Sequence, residues 1–297
     1  MTTLPNSLHR AVFSAAASAF LGACLGVASG TATAGTKLLA TSGVSEVEGA
    51  AGGGISPWAV IAGGGSRDQI GASAFAARVH TRGGYVLEAA GAAVGLYDRV
   101  ELSAARWRFG LADTVPGQRI GMDVYGLKVR VLGDAVFDAD NWLPQVSLGL
   151  QHKRNRDMFV PTLVGGKRSS DTEPYVSVAK LWLGAAGGYN LFTNVTLRGT
   201  RANQMGLLGF GGDRGDSLSL KPEFSIAVLP RDNLAVGFEW RAKPKLLTAA
   251  PETRALDAFV AWWPTAHISL TAAYLDLGQI ANKTAQRSSY VSAQLQF

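Results

Sequence analysis

The chain has 297 residues, of which 36 are glycine, and 17% of its residues are charged, whereas about a quarter of the residues in an ordinary soluble domain are charged. This composition disfavours a cytosolic globular protein. The formal net charge is +6, but the sequence has no run of lysine or arginine, so it predicts no nucleic-acid partner.

The N-terminus has the pattern of an export signal. A basic start at Arg10 precedes an uncharged apolar stretch over residues 11–27, and Ala32-Thr33-Ala34 offers small side chains for cleavage. We therefore predict a cleaved signal peptide over residues 1–34 and a mature domain over residues 35–297.

Two other interpretations of this segment stay open. A single transmembrane anchor fits the apolar stretch, but no basic stop-transfer cluster follows it. Leu21-Gly22-Ala23-Cys24 resembles a lipobox, in which Cys24 would be lipidated and become the first residue of the mature protein. Cys24 is the only cysteine, so cleavage after Ala34 would leave a mature chain without a thiol.

Alternation of apolar and polar residues dominates the rest of the chain. Residues 124–131 (VYGLKVRV) and 234–241 (LAVGFEWR) place large apolar side chains at every second position. One face of such a strand meets an apolar medium and the other a polar one. The predicted strands cover residues 37–48, 57–64, 69–80, 84–96, 99–110, 121–132, 144–153, 174–184, 190–200, 218–229, 234–243, 254–263, 267–276 and 287–297.

The connections between these strands alternate between short and long along the second half of the chain. This is typical of outer-membrane barrels, which have short periplasmic turns and long external loops. We therefore predict an all-β fold over residues 35–297, namely a transmembrane antiparallel up-and-down β-barrel of about 14 strands, integral to the bacterial outer membrane. Twelve strands are the alternative, because the first two predicted strands and residues 69–80 alternate poorly.

Charged residues determine which face of a strand meets lipid. A lysine or arginine on the lipid face near the membrane midplane costs about 2–4 kcal/mol. A slip of residues 121–132 by one position would move Lys128 and Arg130 into lipid. We therefore expect both side chains to face the inside of a closed barrel, which leaves no strand edge unpaired.

The segment from Tyr290 to Phe297 resembles the C-terminal signal of outer-membrane barrels. That signal is a terminal phenylalanine preceded by apolar residues at alternate positions, which here include Leu295. The resemblance implies two partners, the barrel-assembly machinery during insertion and the lipid of the outer membrane afterwards.

Four further stretches resemble a proteobacterial family catalogued as domain of unknown function 3034. They are residues 44–54 (VSEVEGAAGGG), 95–102 (GLYDRVEL), 140–145 (DNWLPQ) and 202–214 (ANQMGLLGFGGDR). The resemblance extends over nearly the whole mature chain and implies an outer-membrane protein. It implies no activity and assigns no functional residues.

Charged residues at inward positions are the candidates for the lining of the lumen. Two of them, Arg106 and Arg108, require a bulge in residues 99–110 that keeps Val100, Leu102 and Trp107 all outward. The set supports either a polar pore that favours anions or an internal salt-bridge network that fills a closed barrel. The predicted lumen residues are Arg106, Arg108, Lys128, Arg130, Arg198, Lys221, Glu223, Glu239, Arg241 and Asp257.

The loop over residues 201–217 is the most distinctive segment. It is rich in glycine, but no helix pattern follows, so it is not a dinucleotide-binding motif. It could fold into the lumen as a constriction or face outward as a binding loop. Its candidate residues are Gly209, Phe210, Asp213, Arg214 and Asp216.

Three functional hypotheses follow from this fold. The first is a passive, porin-like channel for small solutes that leans toward anions, and the second is a non-conducting barrel with a structural or partner-binding role. The third and weakest is a surface hydrolase that uses His80 or His152, although no local motif supports catalysis. We predict no catalytic residues, no metal site and no cofactor.

Overall fold

The computed structural model describes residues 39–280 and 283–297. The predicted signal peptide, its cleavage site and Cys24 lie outside these residues. Among the described residues, no helix combines the length and the hydropathy that a membrane-spanning helix requires.

Twelve antiparallel strands of the described chain close into a barrel in sequence order. Closure comes from pairing of the last strand with the first, as in Tyr290 opposite Val79. A separate short hairpin, β1 (Val44–Ser45) with β2 (Ala51–Gly52), precedes them. The barrel strands are β3 (Ile70–Thr81), β4 (Val86–Leu96), β5 (Val100–Gly110), β6 (Arg119–Leu132), β7 (Gln145–Asn155), β8 (Ser170–Ala186), β9 (Tyr189–Thr200), β10 (Ser219–Arg231), β11 (Leu234–Ala242), β12 (Arg254–Thr265), β13 (Ile268–Asp276) and β14 (Arg287–Gln296).

Along the middle of the barrel, the outer face is apolar and the inner face is polar. On β6, Tyr125 and Leu127 are exposed on the outside, while Lys128 is 1% exposed and faces the lumen. The predicted register of this strand is thus confirmed. A closed sheet with such an exterior is a transmembrane β-barrel. Exposed apolar side chains on the outer face include Leu148, Val195, Leu197, Val236, Phe238, Val260, Leu270 and Val291.

The two ends of the barrel differ in the length of their connections. One end, the turn end, carries the two-residue turns 187–188, 232–233 and 266–267, the longer connection over residues 133–144 and the start of β3. The other end, the loop end, carries long loops at residues 111–118, 156–169, 201–218, 243–253 and 277–286, the second of which contains the short helix α1 (Phe159–Leu163). In bacterial outer-membrane barrels, the end with the short turns is the periplasmic one.

The prediction of two barrel strands at residues 37–48 and 57–64 was wrong, and the alternative of 12 strands is confirmed. Residues 42–62, called the plug below, lie inside the barrel and are buried along their whole length. They are rich in glycine because the fit is close. A Cβ atom at Gly53 would lie 2.1 Å from Oε1 of Glu239.

Gly95 of β4 is a second point where the wall and the plug are in close contact. A Cβ atom there would lie 2.1 Å from the carbonyl oxygen of Ala62. We expect Gly95→Ala to lower the free energy of unfolding by about 1–3 kcal/mol, because overpacking forces the backbone to shift. Gly110→Ala on β5 is the matched control, since its nearest neighbour would lie 3.8 Å away. Urea unfolding in micelles gives both values, and equal stability of the two variants would contradict this prediction.

Candidate functional site

The plug enters and leaves the barrel at the turn end. At its start, Oγ of Ser42 donates to Oε1 of Gln296 at 3.0 Å. Toward the loop end, the carbonyl of Val47 accepts a hydrogen bond from Nε1 of Trp107 at 2.5 Å. At its end, the backbone N–H of Ala62 donates to Oε2 of Glu101 at 2.9 Å. The plug is therefore a loop that crosses the middle of the lumen and returns.

Glu48 is the charged centre of the plug. Its carboxylate forms ion pairs with Lys153, with Arg198 at 3.6 Å and with Arg241 at 3.2 Å. All four side chains are buried. Removal of one partner would leave unpaired charges in a low-dielectric interior, which costs much free energy. Such a network therefore holds its members tightly together.

Wall carboxylates bridge the same three cations. Glu173 lies 2.6 Å from Lys153 and 3.2 Å from Arg198. Glu223 lies 2.6 Å from Nε of Arg198 and 3.4 Å from Nε of Arg241. The network thus connects β7, β8, β9, β10 and β11 through the plug.

Two wall side chains replace the backbone hydrogen bonds that the plug cannot make within a sheet. Glu239 accepts from the backbone N–H groups of Gly54 and Ile55 at 2.6 and 2.9 Å. Lys128 donates to the carbonyls of Ala51 and Val60 at 3.0 and 2.9 Å. Their charges thereby fix the plug backbone in one position.

The structure places most of the predicted lumen residues at the inner face. Lys128, Arg198, Glu223, Glu239, Arg241 and Asp257 are buried there. Lys221 lies on the same face of β10 as Glu223, partly buried and near the loop end.

Arg130 also faces inward, near the turn end. It lies 2.8 Å from Asp98 and 2.7 Å from Asp134. Asp98 lies in the turn between β4 and β5, where burial raises the pKa of its carboxyl to about 6 even though Arg130 opposes that rise. Arg130 therefore holds the turn end together and does not contact the plug network.

Arg106 and Arg108 are corrections to the predicted lumen set. The pairing of β5 with β4 and β6 runs without a bulge, so both arginines lie on the outer face. Arg106 forms an ion pair with Asp123 of β6 at 2.9 Å. The inward positions belong to Trp107 and Phe109, because the lumen near the loop end is apolar.

The sequence prediction missed five buried charged residues at and around the plug. Glu101 lies between Val100 and Leu102, which were both predicted to face outward, and Lys153 was the last residue of a predicted strand. The regular alternation of the strands was the signal that would have placed both inward. The missed residues are Glu46, Glu48, Glu101, Lys153 and Glu173.

The loop over residues 201–218 folds over the loop end of the lumen. Phe210 is fully buried, and its backbone N–H donates to the carbonyl of Arg168 at 3.0 Å. Gly209 takes a positive φ of 75°, which glycine adopts without strain. Farther along, Asp213 and Arg214 are exposed, and Asp216 pairs with Arg168. Residues 201–212, called the lid below, thus cover the lumen, and residues 213–218 face outward.

The described histidines lie away from the lumen. His80 and His152 are exposed on the outer face near the loop end. His267 lies at the turn end, where its Nδ1 is 2.9 Å from the carbonyl oxygen of Gln296.

Comparison with solved structures gives several outer-membrane proteins with low sequence identity. The chain is similar to a structure described as KdgM porin, with a TM-score of 0.49 and 9% identity, covering 76% of this chain and 99% of that chain. It is also similar to the outer membrane protein Omp33 of Acinetobacter baumannii, with a TM-score of 0.42 and 7% identity, covering 77% of this chain and 98% of that chain. No curated protein sequence matches the chain. Residues 41–294 match the family described as Protein of unknown function (DUF3034), and the chain belongs to that family.

Proposed function

We propose that this protein is an outer-membrane, porin-like barrel whose resting lumen is closed by its own plug, and that small solutes pass only when the plug moves. The observation that carries the proposal is the one-sided attachment of the plug. Its hydrogen bonds and ion pairs go to side chains of β5 to β11, and the bond between Ser42 and Gln296 is the one side-chain hydrogen bond to the opposite wall among the described residues.

The opposite wall, formed by β12, β13, β14 and β3, has the features of a hydrated path. Its inward side chains include serine, threonine and glutamine residues beside aromatic ones such as Phe75 and Phe259. Several buried polar atoms of the small residues have no protein partner in the described chain. Such atoms are the positions where proteins bind internal water. They are Oγ of Ser73, Oγ of Ser269, Oγ1 of Thr271 and Oε1 of Gln294. A small shift of the plug away from this wall would therefore open a polar passage.

The charges of the lumen favour weak ion selectivity over the anion preference that the sequence predicts. The buried cations at the plug are all paired with carboxylates. The wall carries both signs in similar number, with Lys128, Lys153, Arg198 and Arg241 opposite Glu101, Glu173, Glu223, Glu239 and Asp257. A balanced lining attracts neither ion strongly.

A non-conducting barrel with a structural or partner-binding role is the second candidate. It is favoured by the plug itself, because a buried ion-pair network rigidifies the lumen. The hydrolase hypothesis gains no support from His80 and His152, which lie on the outer side of the barrel wall, away from the lumen. The proposed barrel also keeps Leu295 and Phe297 as its assembly signal, since both are exposed at the turn end.

Removal of the plug distinguishes the first two candidates. We expect the intact protein in planar bilayers to be closed with brief openings, and a variant that lacks residues 42–62 to show large, steady conductance. The wall cations of that variant keep Glu173 and Glu223 as partners, so the barrel is expected to fold, which heat-modifiable gel mobility checks. A folded variant that stays silent would contradict the channel proposal and favour the non-conducting barrel.

A further inference from the structure

Near the loop end, the barrel reverses the usual pattern of a membrane barrel, in which the outer face is apolar and the inner face is polar. On β3, β4 and β5, the side chains that face the lumen near the loop end are Val79, Leu87, Trp107 and Phe109. The outer face at the same height is charged, with cross-strand neighbours such as Glu88 opposite Arg108. An apolar interior behind a polar exterior is the pattern of a barrel that encloses a ligand.

These residues surround a cavity of about 450 Å³ between the plug and the lid. Val47 and Ile55 of the plug form its floor, and Leu207 and Leu208 of the lid close it from above. Ligand sites typically measure about 300–1,000 Å³. The cavity is thus large enough for a small molecule.

The polar side chains of the lining bind protein groups. The indole N–H of Trp107 donates to the plug carbonyl of Val47. Nζ of Lys243 donates to the carbonyl of Leu277 at 3.0 Å and lies 3.0 Å from Oε2 of Glu252. Burial raises the pKa of the Glu252 carboxyl, and Lys243 opposes that rise. The positive charge of Lys243 is therefore paired with the carboxyl group of Glu252.

The other polar side chains of the lining are also bonded to protein groups. Oγ1 of Thr81 accepts from the backbone N–H of Tyr85 at 3.0 Å. Oγ1 of Thr114 lies 2.6 Å from the hydroxyl of Tyr85, and Nε2 of Gln204 donates to the carbonyl of Gln279 at 2.9 Å. An apolar cavity of this kind does not hold water firmly and accepts hydrocarbon.

The rim of the cavity is also apolar. Phe159 and Leu163 of α1 line the cavity and are 69% and 72% exposed. Large exposed apolar side chains on a soluble loop mark a binding surface. They lie at the loop end, whereas the plug enters from the turn end, so the entrance faces the outside of the cell.

We propose that this cavity binds the alkyl chain of a small hydrocarbon or lipid-like molecule that arrives from the external side. Recognition rests on the apolar lining and requires no charged head group, because the polar groups of the lining are already bonded within the protein. The site does not depend on movement of the plug, so its test is separate from that of the channel proposal.

Methionine methyl signals offer a direct test. The chain has 4 methionines, of which Met205 lines the cavity, whereas Met122 and Met158 do not. We expect titration of methyl-labelled protein in phosphatidylcholine nanodiscs with dodecane to shift the Met205 signal saturably. Dodecanoate tests the contribution of a charged head group, and glucose is the polar control. Saturation by dodecanoate alone, or no saturable shift with either alkyl probe, would overturn the proposal.

Val115→Trp is designed to fill the cavity from the loop between β5 and β6, away from the sheet. We expect it to weaken dodecane binding by about tenfold or more, which corresponds to about 1.4 kcal/mol. Val131→Trp, at an exposed position of the outer face, is the matched control and is expected to bind like the unmodified protein. Equal shifts in both variants would mean that dodecane only partitions into the lipid, and the proposal would be wrong.

Discussion

Replacement of Glu48 by glutamine is expected both to destabilise the barrel and to open it. The substitution keeps the size of the side chain but removes the charge that three buried cations share. Loss of one partner from a buried ion pair costs about 3–5 kcal/mol. Glu173 and Glu223 still pair with the three cations of the wall. The substitution therefore mainly weakens the attachment of the plug to the wall. We therefore expect urea unfolding at a lower concentration and a higher open probability in planar bilayers.

Glu88→Gln is the matched control for this experiment. Glu88 lies on the outer face of β4, opposite Arg78 and Arg108, and does not contact the plug. We expect it to change the free energy of unfolding by about 1 kcal/mol or less, as for exposed ion pairs, and to leave the conductance unchanged. A Glu48→Gln variant that is destabilised but as closed as the unmodified protein would show that the ion pairs support the barrel without controlling the plug.

The barrel strands were predictable because lipid imposes a constraint on each of them. A strand such as β6 must keep Lys128 inside and Leu127 outside, whatever its neighbours are. Each strand therefore carries its own pattern, and the twelve predicted strands from residue 69 onward correspond to β3–β14.

The plug was not predictable in the same way. It is surrounded by protein on all sides, so neither of its faces has to be apolar and no period appears in its sequence. Its glycine and alanine residues were compatible with a weak strand. The even strand count held in either case, because the two false strands were removed together.

The candidate site was predicted in part for a related reason. The rule that charged residues face the lumen holds at mid-barrel, where Arg198 and Glu239 contact polar partners. It fails at the loop end of β5, where Arg106 faces outward and Trp107 inward. The sequence of one strand does not reveal that the lumen changes from polar to apolar along its length, since that change depends on the plug and the lid.

A disulfide between the plug and the wall is expected to abolish conductance. An ideal Cβ atom at Gly49 would lie 3.1 Å from the Cβ of Ala105 on β5, and disulfides typically require about 3.5–4.5 Å. A shift of a few tenths of an ångström would thus permit the bond in the double variant Gly49→Cys/Ala105→Cys. Gly49 has a φ of 102°, so the substitution itself strains the plug. We therefore expect the reduced form to open more often than the unmodified protein.

Oxidation and reduction of the same sample supply the decisive comparison. Oxidation should close the channel by tying the plug to the wall, and a reductant added to the same bilayer should restore the openings. The single variant Ala105→Cys, in a background with Cys24→Ser, controls for effects of the thiol and should conduct equally under both conditions. If the cross-linked barrel conducted as well as its reduced form, solutes would pass without displacement of the plug near residue 49, and the path would have to lie along β12, β13, β14 and β3 with the plug in place.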